Sequence, residues 1–384
     1  MNFKMSIERN LLNLATSRVQ GAAAERALAQ IGLKAKDNRI FVTAADQTLA
    51  IFNDFPANVE VEGEIFVQAK LFSEVVRELP DGLAHLEKDK TSLKIIAGAD
   101  KEFVMRLPLL EESRWRNPPA VDYDNAAILP ATKLAYMIDQ IETCVSTDST
   151  RNYATVAFLH RVGTSKDTLR LVGTDSFRLS YCDVRVDMPD SFLKVGISLS
   201  KRALAELSRF SKEGFDSVKL TISDDLTTLI AEVPSYQTFI RLSTVKYPNY
   251  ARVIPDLKQP GVLVSKPHVQ GVAKRVLLAA DKTRVLQLSF SDSSLTLSSK
   301  NVSSSEGRER INLDGYHGPK CDITINGKYL TDIVGTTTAD KLVLQFKDGV
   351  DPMVVTPYGE PSDCKTKHVL IPIAGGGAAE THHA

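Results

Sequence analysis

The 384-residue chain lacks most of the marks by which a sequence announces chemistry. It has no GxxxxGK(S/T) loop, no GxGxxG after a strand, no HExxH and no GxSxG, which removes the commonest nucleotide-binding, zinc-protease and serine-hydrolase signatures. No apolar run approaches the roughly 20 residues of a membrane span. The first residues, MNFKMSIERNLL, carry charge throughout and lack the apolar stretch of a signal peptide, so a cytoplasmic location is expected. The four cysteines, Cys144, Cys182, Cys321 and Cys364, are far apart and form no CxxC pair, which speaks against a disulfide frame or a zinc site. Net charge is also missing. Lys plus Arg and Asp plus Glu are both 47, so a nucleic-acid partner could be met only by positive charge sorted onto one face.

What is present is a globular composition, 43% hydrophobic and 24% charged, in a chain too long for one ordinary core. The dominant pattern is an internal repeat of about 125 residues, a normal domain length. Each repeat opens on a short strand followed by a helix: 3–6 with 8–19, 127–129 with 133–145, and 261–264 with 267–280. In the second helix Leu134, Met137, Ile138, Ile141 and Val145 mark the buried face. Strands follow, among them 39–44, 49–53, 154–160, 168–173, 178–183, 285–291 and 294–299. A strand then runs into a second amphipathic helix, in GEIFVQAKLFSEVVRELPDG, KVGISLSKRALAELSRFSKEG and CDITINGKYLTDIVGTTTAD, and alternating strands come after it. The reading is an α+β chain of three domains, 1–126, 127–255 and 256–373, each made of two strand–helix–strands halves. Linkers rich in Pro, Asp and Gly lie at 116–126 and 255–261, and a disordered tail is expected at 374–384.

Several of these helices carry cations away from their apolar stripes. In LFSEVVREL the stripe is Leu71, Phe72, Val75, Val76 and Leu79, with Lys70 and Arg77 seven apart on another face. In SKRALAELSRFSK, Ala203, Leu204, Leu207 and Phe210 point inward, and Arg202, Arg209 and Lys212 line the other side. Lys274 and Arg275 project beside Val272, Val276 and Leu277. One such helix is no more than a solvated face, but repeated basic helices suit a surface that follows a phosphate backbone.

Three tandem repeats of this kind, with LRLVGTDSFRLSYC, YPNYARVIP, ITINGKYLTDI and the near-terminal HVLIPI, resemble the bacterial beta sliding clamps, the processivity factors of DNA polymerase III. The resemblance runs from Met1 to Ile373. It implies a ring of two subunits joined head to tail, with helices lining the hole around duplex DNA and sheets outside. It implies no active site, no cofactor and no metal, and a nucleoid-associated location in the cytoplasm. The implied partners are duplex DNA without sequence preference, a second copy of the chain, the polymerase III alpha subunit, the clamp loader, and other polymerases and repair proteins that dock through short peptides.

The family's peptide pocket carries over onto named positions. Thr174, Arg178 and Leu179 match its TDxxRL turn, and Tyr153 an aromatic beside it. Pro248, Arg252 and Val253 match FPxYxRV, with Tyr247 in place of Phe. Asn326 and Tyr329 match NxxY, and Val369, Leu370, Ile371, Pro372 and Ile373 the terminal apolar strand. Such a groove offers aliphatic walls, with Arg and Asn as donors for peptide carbonyls. Ser176 and Phe177 stand where the best-known members have Gly and His, and Ala154 where Leu is common; Phe177 is expected to fill part of the groove. The resemblance also implies a subunit interface that brings Phe103, Val104 and Met105 near Leu277 and Leu278, and a DNA-contacting loop arginine at Arg26.

Two other classes stay open at the level of sequence. Asp139 with Glu142, or Thr174 with Asp175, could belong to an enzyme, although a solvated helix face and a turn-stabilising Asp account for them more simply. A duplicated α+β interaction scaffold that does not encircle DNA is the remaining alternative.

Overall fold

The computed structural model describes residues 2–23, 29–111, 121, 123–163, 165, 167–291, 293–313, 318 and 320–373. Arg26 and the tail 374–384 lie outside these residues, as does much of the expected linker 116–126.

The strand–helix–strands rhythm recurs six times. The first repeat runs β1 (Lys4–Glu8), α1 (Arg9–Ala23), β2 (Gln30–Lys36), β3 (Arg39–Ala45), β4 (Leu49–Pro56), β5 (Asn58–Val61), β6 (Gly63–Gln68), α2 (Ala69–Arg77), β7 (Leu83–Asp89), β8 (Ser92–Ala97) and β9 (Phe103–Leu110). The second runs β10 (Ala127–Pro130), α3 (Ala131–Ile141), β11 (Val156–Arg161), β12 (Thr168–Thr174), β13 (Arg178–Arg185), β14 (Ile197–Ser200), α4 (Lys201–Ser211), β15 (Ser217–Ile222), β16 (Thr228–Val233) and β17 (Tyr236–Arg241). The third runs β18 (Val262–Ser265), α5 (Lys266–Val276), β19 (Val285–Ser291), β20 (Ser294–Lys300), β21 (Glu306–Asn312), β22 (Cys321–Asn326), α6 (Gly327–Thr336), β23 (Lys341–Gln345), β24 (Met353–Pro357) and β25 (Cys364–Leu370).

Local chemistry repeats with the topology. The second helix of each repeat is N-capped by a side chain that accepts a backbone N–H: Gln68 from Leu71 at 2.7 Å, Ser200 from Ala203 at 3.2 Å and Asn326 from Lys328 at 3.0 Å. The second hairpin of each repeat turns on an acidic or amide side chain. Asp46 Oδ1 accepts from Thr48 and Leu49 N, Asp175 Oδ1 from Phe177 and Arg178 N, and Asn301 Oδ1 from Ser303 and Ser305 N, all at 2.7–3.0 Å. The expected helices 133–145 and 267–280 end earlier as α-helix, and single 3₁₀ turns, Glu142–Cys144 and Leu277–Ala279, complete them. The strand read as 154–160 begins at Val156, because Asn152–Thr155 is a 3₁₀ turn. Leu71, counted in the apolar stripe of α2, sits in the first turn and is 40% exposed.

The chain folds into two compact units that cut across the repeats. One unit comprises 1–131, 188–192 and 213–242 and holds an antiparallel sheet ordered β10-β15-β16-β17-β4-β3-β2-β6-β9-β8-β7-β1-β5. The other comprises 132–187, 193–212 and 243–384 and holds an eight-stranded sheet, β14-β11-β12-β13-β25-β24-β23-β18, and a four-stranded one, β21-β20-β19-β22. Strands from neighbouring repeats therefore join in one ladder twice. β4 pairs with β17, with Leu49 opposite Ile240 and Asn53 opposite Tyr236, and β13 pairs with β25, with Arg178 opposite Leu370. Each join satisfies two strand edges that would otherwise expose unpaired backbone groups.

Candidate functional site

At the β13–β25 join the outer face of the sheet carries an apolar cavity of about 230 Å³. Leu179 and Val369, opposite one another in the ladder, form its floor with Thr174. Tyr153 from the turn before β11, and Pro248, Asn249, Tyr250 and Val253 from the segment around the 3₁₀ turn Tyr250–Val253, form the walls. Ser176, Arg178 and Ile371 complete the lining.

The hairpin between β12 and β13 is tightly specified. Thr174 Oγ1 donates to the Arg178 carbonyl at 2.7 Å and accepts from Ser176 N at 3.1 Å. Ser176 has φ +80°, in the left-handed region that a glycine occupies without strain. Its hydroxyl shares a 2.9 Å hydrogen bond with the Tyr153 phenol, which ties the two sides of the mouth together.

The far wall is held by a directional relay. His160 Nδ1 is 2.6 Å from the Arg161 carbonyl, an acceptor only, so Nδ1 carries the proton and Nε2 accepts from the Tyr250 hydroxyl at 2.7 Å. Arg170 donates to the same phenol oxygen at 3.3 Å, while Nε and Nη2 bind both oxygens of Asp183 at 2.6 and 2.7 Å. Burial holds the His160 imidazole below its usual pKa, with the Arg170 charge adding to the effect and the Arg161 carbonyl opposing it. Tyr247 stacks on Phe158 at 5.2 Å and 7°, which lays the whole segment on the sheet.

Beneath the floor lies a buried polar chain. Ser180 Oγ is 3.0 Å from Cys144 Sγ and 2.7 Å from His368 Nδ1. His368 Nε2 is buried without a hydrogen-bond partner among the described residues. Burial, and then the Arg178 charge, push the imidazole pKa down to about 3, so His368 is neutral.

The expected pocket residues divide in two. Tyr153, Thr174, Arg178, Leu179, Pro248, Val253, Val369 and Ile371 line the cavity, and Ser176, Asn249 and Tyr250 line it beside them. Arg178 has a different role from the one expected. Its guanidinium is spent on Asp175 at 2.9 Å, Asp332 at 2.9 Å and the Thr143 carbonyl, and it lies 4.3 Å over the Tyr329 ring, so its charge is already paired. Tyr329 is thus stacked on Arg178, and Asn326 Oδ1 is used as the cap of α6. Leu370 belongs to the core of the third repeat, because alternation in β25 turns it to the face opposite Val369. Phe177 does not fill the groove. It is 51% exposed, with the Arg151 guanidinium 5.1 Å from its ring. Arg252 is exposed, and Pro372 and Ile373 lie past the end of β25, outside the lining. Tyr250 and Asn249 were legible as parts of YPNYARVIP, but nothing in the sequence marked which of its side chains would face the cavity.

The basic helix positions are less uniform than their spacing suggests. Lys70 and Lys274 are exposed and have no acidic partner among the described residues. Arg77 lies 3.3 Å from Glu78, Lys212 2.7 Å from Asp139, Arg209 2.5 Å from the buried Glu206, and Arg275 2.9 Å from Glu309. Arg202 is half-buried. On β9, Val104 and Met105 are exposed and Phe103 is half-buried. Leu277, expected at an interface, is buried in the core of the third repeat; Leu278 beside it is 85% exposed.

Solved structures that share this fold include DNA sliding clamps. A clamp from Bartonella birtlesii, bound to griselimycin, superposes with a TM-score of 0.88 at 24% identity, covering 97% of this chain and 100% of that one. The C. crescentus beta sliding clamp, with polyethylene glycol bound to a putative beta-motif tethering region, gives 0.86 at 26% identity, covering 97% and 99%. Family models of the DNA polymerase III beta subunit match along the chain, the N-terminal domain at residues 2–112, the central domain at 128–249 and the C-terminal domain at 251–374. The beta sliding clamp of Caulobacter vibrioides is 26% identical over 380 residues, 96% of this chain and 99% of that protein, and the one from Bacillus subtilis is 24% identical over 385. The chain belongs to the DNA polymerase III beta subunit family, the bacterial beta sliding clamps. Its function is that of a DNA sliding clamp in replication, a processivity factor and not an enzyme. No helix among the described residues is long and apolar enough to cross a membrane.

Proposed function

We propose that the cavity at the β13–β25 join is the docking groove for short peptides of the polymerase alpha subunit, the clamp loader and other polymerases and repair proteins. The observation that carries this reading is an apolar cavity whose walls are fixed before any ligand arrives, by the Tyr153–Ser176 bond on one side and the Arg170–Tyr250–His160 relay on the other. A preformed groove orders little of itself on binding, so most of the buried apolar area counts toward affinity. Docking on a clamp held at DNA then raises the local concentration of the partner.

In the same proposal the limits of the three domains are 1–126, 127–255 and 256–373, and the location is the cytoplasm. Lys70 and Lys274 meet DNA directly, with Arg77, Arg202, Arg209, Lys212 and Arg275 contributing to a basic lining. Phosphate contacts of this kind carry no sequence information and let the ring slide. Phe103, Val104, Met105 and Leu278 belong to the subunit interface.

Deleting residues 368–373 would be a poor test, because His368, Val369 and Leu370 are buried in the ladder. Ile371→Ser and Val253→Ser change half-exposed lining side chains instead. Each should weaken a fluorescent clamp-binding peptide by roughly 10-fold in anisotropy titrations, about 1–2 kcal/mol of lost apolar contact. Unchanged affinity in both variants would remove the groove assignment.

A further inference from the structure

The two joins between repeats share a second feature besides their strand pairing. Counted from the first residues of α1, α3 and α5, the tenth positions are Arg18, Gln140 and Arg275. Arg18 is buried, with Nε 2.7 Å from Glu213 Oε2 just past α4 and its guanidinium 4.7 Å from the Tyr236 ring. Gln140 is buried too, and its Nε2 donates at 3.0 Å to the carbonyl of Thr336, the last residue of α6. In both joins the tenth residue of one repeat's first helix reaches a residue of the next repeat at, or shortly after, the end of the second helix in sequence.

Of the three repeats, the third is the last in order. Arg275 is 57% exposed at its side chain and pairs with Glu309 on the neighbouring strand. β21, the equivalent of β4 and β13, is an edge of its sheet. The first repeat stands at the other end of the series. β9 pairs with β8 along its length and with β6 only at Leu109 and Leu110. The position matching Thr336 is Glu78, ten residues after the cap in both helices and five before the next strand in both. Glu78 is 77% exposed at its side chain.

We propose that Arg275 closes a third join, made with a second copy of the chain, by reaching the end of the partner's α2 and pairing with the partner's Glu78. The same internal symmetry sets the strand register. Ala50, Leu179 and Glu306 each close their hairpin, opposite Ala45, Thr174 and Lys300. Ala50 faces Phe239 and Leu179 faces Val369 across the two joins. The hairpin steps that lead to Phe239 and Val369 lead in the first repeat, through Glu87 and Lys94, to Arg106. The third join therefore sets Glu306 opposite the partner's Arg106, a pair of opposite charges, as it also does at Arg275 and Glu78. Arg275 exchanges Glu309 for an intersubunit carboxylate on closure, which makes assembly sensitive to salt.

This inference rests on the clamp being a dimer and goes beyond it by naming the contacts. Sedimentation of the full chain gives the dimer dissociation constant for the wild type, Arg275→Glu, Glu78→Arg and the double variant, with melting curves confirming that each is folded. Either single change should weaken the dimer at least about 10-fold, and the double variant should recover to within about 3-fold of wild type. A second cycle, Glu306→Arg with Arg106→Glu, reads the register in the same way. A stable wild-type dimer in which the paired changes are merely additive would overturn these contacts and leave the clamp reading intact. A wild type that stays monomeric at micromolar concentration would overturn the dimeric ring itself.

Discussion

The two joins have the same ladder and different contents. At β4–β17 the buried face sets Ile51 opposite Thr238; at β13–β25 the matching pair is Ser180 and His368. Leu49 of the first join, buried and apolar, corresponds to Arg178 of the second, buried and bound to two carboxylates and a carbonyl. The outer faces differ as much. The first join presents Phe41, Thr43, Phe52, Asp54 and Gln237 around a depression. The second lies under the segment that holds Tyr247 and Tyr250, and there an apolar groove results. Strand pairing makes the join, but the segment laid over it decides how apolar a surface the join offers.

The largest break in this comparison should come from giving the second join the first one's residue. Arg178→Leu leaves Asp175 without its cationic partner and Asp332 with Lys328 alone, in a largely buried setting, which should cost about 3 kcal/mol in urea unfolding of the second unit. A cost under about 1 kcal/mol would mean that these carboxylates reach solvent easily.

A smaller effect is expected from His368→Thr, and it shows in the pH dependence. The folded-state pKa of His368 is about 3 against an ordinary 6.5, so below pH 6.5 the unfolded chain binds a proton that the folded chain does not. Stability therefore falls as pH falls through that window, by about 1.4 kcal/mol per pH unit for one full proton. His368→Thr should flatten the slope between pH 6.5 and 5, leaving the weaker contribution of His160. An unaltered slope in denaturant titrations would show that the imidazole is already protonated or solvated.

The smallest expected change is Thr238→Val in the first join. Thr238 Oγ1 is buried without a hydrogen-bond partner among the described residues, so removing it should be neutral or stabilising by up to about 1 kcal/mol. A loss of more than that in thermal melts would reveal a hydroxyl that is satisfied after all.

Much of the fold was legible because it rests on short-range patterns. Apolar spacing located the six helices of the described residues within a few positions, and Asp175 was legible as a turn residue; the matching roles of Asp46 and Asn301 came from the structure. β21 was harder to read, since EGRERIN buries only Ile311 and offers no apolar alternation. In the groove, Leu179 and Val369 were legible as apolar strand residues. The use of Arg178 as an internal tie was not, because Asp332 is 154 residues away in sequence.

The amino-acid sequence alone determined the threefold repeat, the helix faces and caps, and the stretches from which a groove could be built. These depend on neighbours a few residues apart, where side-chain periodicity and backbone hydrogen bonding act. Tertiary structure decided which strands of neighbouring repeats share a ladder, which of two adjacent residues such as Val369 and Leu370 faces the groove, and which cations are already paired. Those outcomes follow from contacts between residues tens to hundreds of positions apart, and a one-residue change of register would have reversed them.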